Sequence, residues 1–186
     1  MSNMETIDDI IEKLHDADLA CLREGVKAQL LLLGGSGLLF LMKMLGVEFR
    51  TTSAVTVNIL TATNTQRVKI VLRNTFIAVL DVTLPDTRDF KEVRYAKVET
   101  ELFKAIEVYV PSIEFLACTK IHSSRDKDLE DLKNTAILDV CNKQVLLELV
   151  EEYKARLVER NITFLNYCQL RSVMEERGIK YEDIKR

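Results

Sequence analysis

The sequence is poor in residues that break or cross-link a chain. Its 186 residues include two prolines, six glycines, four cysteines and no tryptophan. With no low-complexity stretch, this composition excludes long linkers and disordered arms. Because 47% of the residues are hydrophobic, the chain is large enough to build a real core. We therefore expect one globular domain, or one domain with a helical extension.

Neither the acidic nor the basic residues are clustered in one part of the chain. The net charge is −3 and the basic residues are scattered, so no strong nucleic-acid patch is expected. The apolar run that starts at Leu30 is interrupted by glycines and stops at Lys43, too short to span a membrane. The beginning, MSNMETIDDI, lacks the basic and apolar regions of an export signal. We expect a cytoplasmic protein with no membrane partner.

The four cysteines stand singly in apolar-periodic surroundings. They form no CxxC pair, and no histidine follows at a spacing suited to zinc. This pattern predicts reduced core residues rather than a metal or redox site: Cys21, Cys118, Cys141 and Cys168.

Hydrophobic periodicity predicts an α/β core followed by helices. Thr6 and Asp9 form a capping-box signal for a first helix that ends at Gly25. Strands are predicted at 29–33, 49–60, 76–84, 93–98 and 105–110, and further helices at 36–45, 65–72, 113–122, 127–138, 144–157 and 164–177. We place the α/β domain at residues 1–140 and a helical extension, packed on it, at 141–186.

Three of the six glycines fall between Gly34 and Gly37, after a predicted strand and before a predicted helix. Such a turn leaves bare amides at a helix N-terminus, where an anion can bind. The same glycines would also simply permit close packing of strand and helix. Neither the phosphate-loop pattern nor GxGxxG is present, so spacing alone leaves both explanations open.

Several segments together resemble the minimal nucleotidyltransferase family, in particular its bacterial DUF6036 and AbiEii toxin-type branches. They are the GGS turn, FRTTSAVTVNIL, the LDV of a later strand, and VPSIEFLACTKI followed by RDKDLEDL. The resemblance covers about residues 30–138. It implies an α+β fold, with a mixed β-sheet flanked by helices and a helical C-terminal extension. It also implies a nucleotide site at Gly34, Gly35, Ser36, Arg50, Thr52, Lys120 and Asp128.

In the resembling family, two carboxylates on one strand and a third on a neighbouring strand hold two magnesium ions. The resemblance places the third carboxylate at Asp81, as metal ligand and catalytic residue, with Lys120 as a second catalytic candidate. Counted from Arg50, the paired acids should fall at Ala54 and Thr56, and neither residue is acidic. We therefore expect a protein whose metal-dependent transfer is abolished or severely weakened, and Mg²⁺ with a nucleoside triphosphate to bind weakly or not at all.

Some of these residues also have plainer explanations. Lys120 lies on the apolar face of its predicted helix, where a long amine can extend to solvent, contact phosphates or pair with Asp128 or Asp131. Asp81 in an apolar strand needs either a lysine partner or a water-filled cleft, because burying an unpaired carboxylate is costly. His122, near a predicted helix end, is expected to match the charge of the helix C-terminus.

Three functions stay open at this stage. The first is a degenerate nucleotidyltransferase-like protein that binds a nucleotide or acts as a regulatory module, in a toxin–antitoxin or phage-defence setting. The second is an active Mg²⁺-dependent enzyme that modifies a tRNA or protein acceptor, with Asp81, Glu48 and Lys120 rearranged. The third is a protein-interaction module that binds no nucleotide and docks a protein partner through its C-terminal helices.

Overall fold

A computed structural model of the chain describes residues 6–52, 54–81, 87, 95–159 and 166–179. Within these ranges the chain forms eight helices and a five-stranded sheet, an α+β fold as predicted. The chain divides into two compact units, with the boundary between Ser112 and Ile113. The predicted boundary at residue 140 stays a prediction.

The first unit contains the sheet. Its strands are β1 (Ala28–Leu33), β2 (Val55–Ala62), β3 (Ile77–Val79), β4 (Ala96–Lys97) and β5 (Ile106–Val110). They lie in the order β3-β2-β1-β5-β4. Because β1 is antiparallel to β2 and parallel to β5, the sheet is mixed, as the family resemblance implied.

Three helices accompany the sheet: α1 (Ile7–Arg23), α2 (Gly34–Met44) and α3 (Thr65–Asn74). The capping box predicted for α1 is confirmed, since Thr6 and Asp9 satisfy each other's backbone amides. The side chain of Asn64 caps α3 by accepting from the amide of Arg67, 3.1 Å away. Local capping residues therefore fix where both helices begin.

The central strand is buried on both faces. Leu30, Leu31 and Leu32 of β1 have no exposed surface, because β1 has a neighbouring strand on each side and packed side chains above and below. An uninterrupted apolar run is typical of such a strand. The strand predicted at 29–33 is confirmed, and it leads directly into α2.

The second unit is helical throughout the residues that the structure describes. Its helices are α4 (Ile113–Ile121), α5 (Asp126–Asn134), α6 (Ile137–Val140), α7 (Lys143–Glu159) and α8 (Asn166–Glu176). The single helix predicted at 127–138 is wrong. Thr135 adopts extended backbone angles, φ −118° and ψ 168°, and its hydroxyl donates to the carbonyl of Asp131, which ends α5.

The strand predicted at 76–84 is also wrong in length. Its regular part is β3, three residues long, and Phe76 before it has a φ of +59° and is 82% exposed. The apolar letters of FIAVLDVTL predict burial, but β3 is an edge strand with only one neighbouring strand. Residues 82–86 lie outside the described residues. The strand predicted at 49–60 is shifted to 55–62.

Two further expectations concern membranes and cysteines. None of the described helices has the length and apolarity needed to cross a membrane. Cys21, Cys118 and Cys141 are free and buried, as predicted. Burial raises the pKa of the Cys21 thiol to about 11. The side chain of Cys168 lies outside the described part of the chain.

Candidate functional site

The turn between β1 and α2 is built by glycine. Gly34 has a φ of +57°, in the left-handed region that side chains with a Cβ rarely adopt. It reverses the chain direction immediately after the buried strand. Leu33 occupies the N-cap position and makes no side-chain hydrogen bond to the first turn of α2. The first amides of α2 therefore form a helix N-terminus without a side-chain cap.

Ser36 ties this turn to the neighbouring strand. Its hydroxyl is completely buried, donates to the carbonyl of Leu33 over 2.8 Å and accepts from the amide of Thr56 over 3.2 Å. The sequence predicted Ser36 as a phosphate contact. In the structure its hydroxyl holds α2 against β2, and only its backbone amide is left for that role.

Gly35 faces two of the other predicted nucleotide-binding residues. A Cβ atom on Gly35 would lie 2.7 Å from Oγ1 of Thr52 and 3.8 Å from Nη1 of Arg50. Thr52 is buried, and its hydroxyl donates to the carbonyl of Ala54 over 3.2 Å. The structure thus brings the glycine turn, the Arg50 guanidinium and the Thr52 hydroxyl together at one place.

The positions of the missing acids lie beside this turn. The backbone amide of Thr56 donates to the Ser36 hydroxyl, and Ala54 lies two residues earlier, immediately before β2 begins. Neither residue offers a carboxylate. Across the described ranges, no three His, Cys, Asp or Glu side chains are grouped so that they could hold a metal ion.

Asp81 lies elsewhere. Its carboxylate contacts Nζ of Lys69 in α3 at 2.6 Å, and its side chain is 58% exposed, so the expectation of a carboxylate inside a buried strand is wrong. In the register of β2 and β3, Thr56 pairs with Ala78, and the amide of Leu80 donates to Val57. Asp81 lies two residues beyond the end of β3, and Lys69 is the lysine partner that the sequence offered as one of two alternatives for this carboxylate. Its predicted metal and catalytic roles remain predictions.

The second unit contains a buried ion cluster. Nζ of Lys120 lies 2.7 Å from Oδ1 of Asp128 and 2.7 Å from Oδ2 of Asp131, and all three side chains are at most 4% exposed. Nε of Arg125 reaches the other oxygen of Asp128 at 2.7 Å. Burial raises the pKa of Asp128, but the charge and hydrogen bond of Lys120 outweigh it and hold that pKa below its usual value.

This cluster joins α4 to α5. The sequence offered Asp128 and Asp131 as alternative partners for Lys120, and in the structure Lys120 pairs with both. Such a triad leaves the ammonium enclosed by carboxylates within its own unit, and its predicted contact with nucleotide phosphates stays a prediction. The expected helix-end role of His122 is wrong. The residue is 5% exposed, and burial lowers its pKa to about 4, so its imidazole is neutral at pH 7.

Sequence reasoning missed two polar residues of the first unit. Asp18 of α1 is fully buried, and its Oδ1 accepts from the amides of Lys104, Ala105 and Ile106 at 2.7–2.9 Å. Glu107 of β5 accepts from Gln29, Lys97 and Tyr109. The position of Asp18 on the apolar stripe of α1, between Ala17 and Cys21, was the available signal for its burial.

Comparison with known proteins gives one match. No curated protein and no solved structure matches the chain. A protein-family model described as a nucleotidyltransferase of unknown function, DUF6036, matches residues 4–186. Since that match spans both units and nearly the whole chain, the protein belongs to the DUF6036 family of nucleotidyltransferases.

Proposed function

We propose that this nucleotidyltransferase-like protein binds a nucleotide at the glycine turn and has lost metal-dependent nucleotidyl transfer. One observation carries the binding half of the proposal. The uncapped N-terminus of α2 lies beside the Arg50 guanidinium and the Thr52 hydroxyl, against a glycine that has no room for a side chain. Backbone amides and a guanidinium are groups that bind phosphate oxygens.

The loss of transfer rests on the residues at the two positions where the resembling family carries its paired acids. Two-metal transfer needs several oxygen ligands around each ion, and Ala54 and Thr56 supply no carboxylate. Asp81 lies beyond the end of β3, and its carboxylate is paired with Lys69. On this proposal Mg²⁺ adds nothing to nucleotide binding, because the phosphates are held by backbone amides and the Arg50 guanidinium.

A protein that binds without turnover acts as a binding or regulatory module. We place it in a toxin–antitoxin or phage-defence setting only because the resembling families are found there. The proposed output is a nucleotide-dependent interaction with a protein partner.

Calorimetry with the four nucleoside triphosphates, with Mg²⁺ and with EDTA, tests the proposal. We expect saturable binding of the same affinity in both buffers and no incorporation of labelled nucleotide. Arg50→Ala should weaken binding about tenfold or more, as expected for a lost charge-assisted hydrogen bond. Arg73→Ala, at an exposed arginine of α3, is the matched control and should bind as the wild type does.

Two results would contradict the proposal. Incorporation of nucleotide that Asp81→Ala eliminates would show an active enzyme. Absence of heat with every triphosphate would favour a pure interaction module. A further variant tests the loss of metal binding. Ala54→Asp with Thr56→Asp introduces two carboxylates at the positions of the missing acids. This variant should bind Mn²⁺, measured by electron paramagnetic resonance, whereas the wild type should not.

A further inference from the structure

An aromatic side chain lies directly against the arginine of the glycine turn. The Arg50 guanidinium is over the ring of Phe49, with Cζ 5.4 Å from the ring centroid. The face of an aromatic ring carries partial negative charge, and a guanidinium within about 6 Å of its centroid is attracted to it. Both side chains are half-buried, which strengthens that attraction relative to a fully exposed pair. The two residues therefore form a cation–π pair.

The backbone around this pair is irregular. Residues 47–51, between α2 and β2, belong to neither helix nor strand. Because loops are more mobile than the elements they connect, the direction of a loop side chain depends on its own contacts. Two contacts hold the guanidinium of Arg50: the ring of Phe49, and the carbonyl of Thr51, which accepts from Nη1 over 3.0 Å.

The guanidinium that these contacts hold lies at the glycine turn. Nη1 of Arg50 is 3.8 Å from the place that a Cβ atom on Gly35 would occupy. The same nitrogen donates to Thr51, so the bond that fixes the side chain also fixes its approach to the turn. A guanidinium has five N–H donors, and this bond uses one of them. Arg50 is thus directed toward the turn in the chain without ligand.

We propose that Phe49 is a positioning residue, whose ring holds the Arg50 guanidinium toward the glycine turn for the phosphates of the nucleotide. An arginine side chain has many rotamers, and a ligand that must fix one of them loses affinity through that ordering. Contacts that fix the rotamer beforehand reduce this loss. The inference rests on the function proposed above and adds a residue that acts through Arg50.

A competing account gives the ring of Phe49 to the nucleobase, because aromatic side chains also stack on bases. Arg50 already covers one face of the ring, which favours the positioning role. Inorganic tripolyphosphate separates the two accounts, since it carries the phosphates and no base. A residue that positions Arg50 affects the binding of tripolyphosphate and of nucleotide alike, whereas a residue that stacks on the base affects nucleotide alone.

Calorimetry in EDTA with the four nucleoside triphosphates and with inorganic tripolyphosphate tests the inference. Phe49→Leu keeps an apolar side chain and removes the ring, so it should weaken the binding of nucleotide and of tripolyphosphate by the same factor, about two- to fivefold. Phe49→Tyr keeps the ring and should bind both as the wild type does. Phe76→Leu makes the same change at an exposed phenylalanine that follows α3, and this matched control should leave both affinities unchanged.

Two further measurements test whether Phe49 acts through Arg50. In the Arg50→Ala background, Phe49→Leu should cause no further loss of affinity. In NMR spectra of the chain without ligand, the ring should shift the side-chain signals of Arg50 upfield, and Phe49→Leu should remove that shift while Phe49→Tyr retains it. The shift needs no nucleotide, so it tests the position of the guanidinium separately from the proposed function.

The outcomes that would overturn the inference are distinct. Unchanged binding of both kinds of compound by Phe49→Leu would overturn it and leave the proposed function intact. A loss confined to the nucleotides would assign Phe49 to the base, and an equal loss in the Arg50→Ala background would show that Arg50 is not involved. Absence of the Arg50 shift would contradict the position of the guanidinium. Failure of the wild type to bind any of the five compounds would contradict the proposed function, and this inference with it.

Discussion

The hydroxyl of Ser36 lies between two chain segments, 2.8 Å from the carbonyl of Leu33 and 3.2 Å from the amide of Thr56. It joins the glycine turn to β2 at the position where the resembling family carries its paired acids. Ser36→Ala leaves the amide of Thr56 without this acceptor in a partly buried place. We expect a loss of about 1–3 kcal/mol in the free energy of unfolding, measured with urea. A stability equal to that of the wild type would show that the bond contributes nothing.

The close approach of Gly35 to Thr52 predicts a coupled pair. Gly35→Ala should destabilise the fold by about 1–3 kcal/mol, because the new methyl group would lie 2.7 Å from the Thr52 hydroxyl. Thr52→Gly removes both atoms of Thr52 that the methyl group would meet. A double-mutant cycle on urea unfolding should therefore give a cost for the pair well below the sum of the single costs. Additive costs would contradict this geometry.

The buried triad of the second unit predicts that a buried lysine and an exposed lysine contribute very differently to stability. Lys120→Met removes the ammonium group that lies 2.7 Å from both buried carboxylates and should destabilise the chain by about 3–5 kcal/mol. Lys127→Met, at an exposed position of α5, should change the stability by less than about 0.5 kcal/mol. Urea unfolding at pH 7 compares the two. Similar effects from both variants would contradict the role given to the triad.

His122 predicts a specific loss of stability in mild acid. Burial lowers the pKa of His122 from 6.5 to about 4. As the pH falls from 6.5 toward 4, the imidazole is therefore protonated in the unfolded chain but not in the folded chain. Between pH 7.5 and pH 5 this should remove about 2 kcal/mol from the free energy of unfolding. His122→Phe keeps an aromatic ring near Tyr153 and should reduce the decline by that amount. An unchanged decline in the variant would contradict the assignment.

Asp128 affects the free energy of unfolding at lower pH than His122 does. Its pKa in the folded chain lies below 3.8, so the stability that it contributes is present above that value and is lost as the pH falls through the folded pKa. The two losses are therefore separable along one pH series.

Much of the fold follows from local patterns. The uninterrupted leucines of β1, the capping box of α1 and the periodicity that predicts a helix at 113–122 each encode their element in neighbouring residues, and the structure agrees with all three. The incorrect predictions arise where the position of a segment in the folded chain, and not its local sequence pattern, determines its structure. FIAVLDVTL resembles a central strand, but an edge position leaves Phe76 exposed.

The candidate site is predictable in part from the family resemblance. The resemblance placed Gly35, Arg50 and Thr52 in one site, and the structure brings these three residues together. The end of β3 at Val79, which leaves Asp81 outside the strand and beside Lys69, depends on tertiary position, which no local pattern specifies. The buried hydrogen bonds of Asp18 join residues 86–88 positions apart, beyond any local pattern.

Selective ¹⁵N labelling of glycine tests the central claim most directly, because six glycines give at most six signals. Gly34, Gly35 and Gly37 lie in the first turn of α2, while Gly25, Gly46 and Gly178 serve as internal controls. On titration with a nucleoside triphosphate in EDTA, we predict that the signals of the first three shift and those of the controls stay. Shifts that appear only when Mg²⁺ is added, or no shift in the first three, would contradict metal-independent nucleotide binding at the glycine turn.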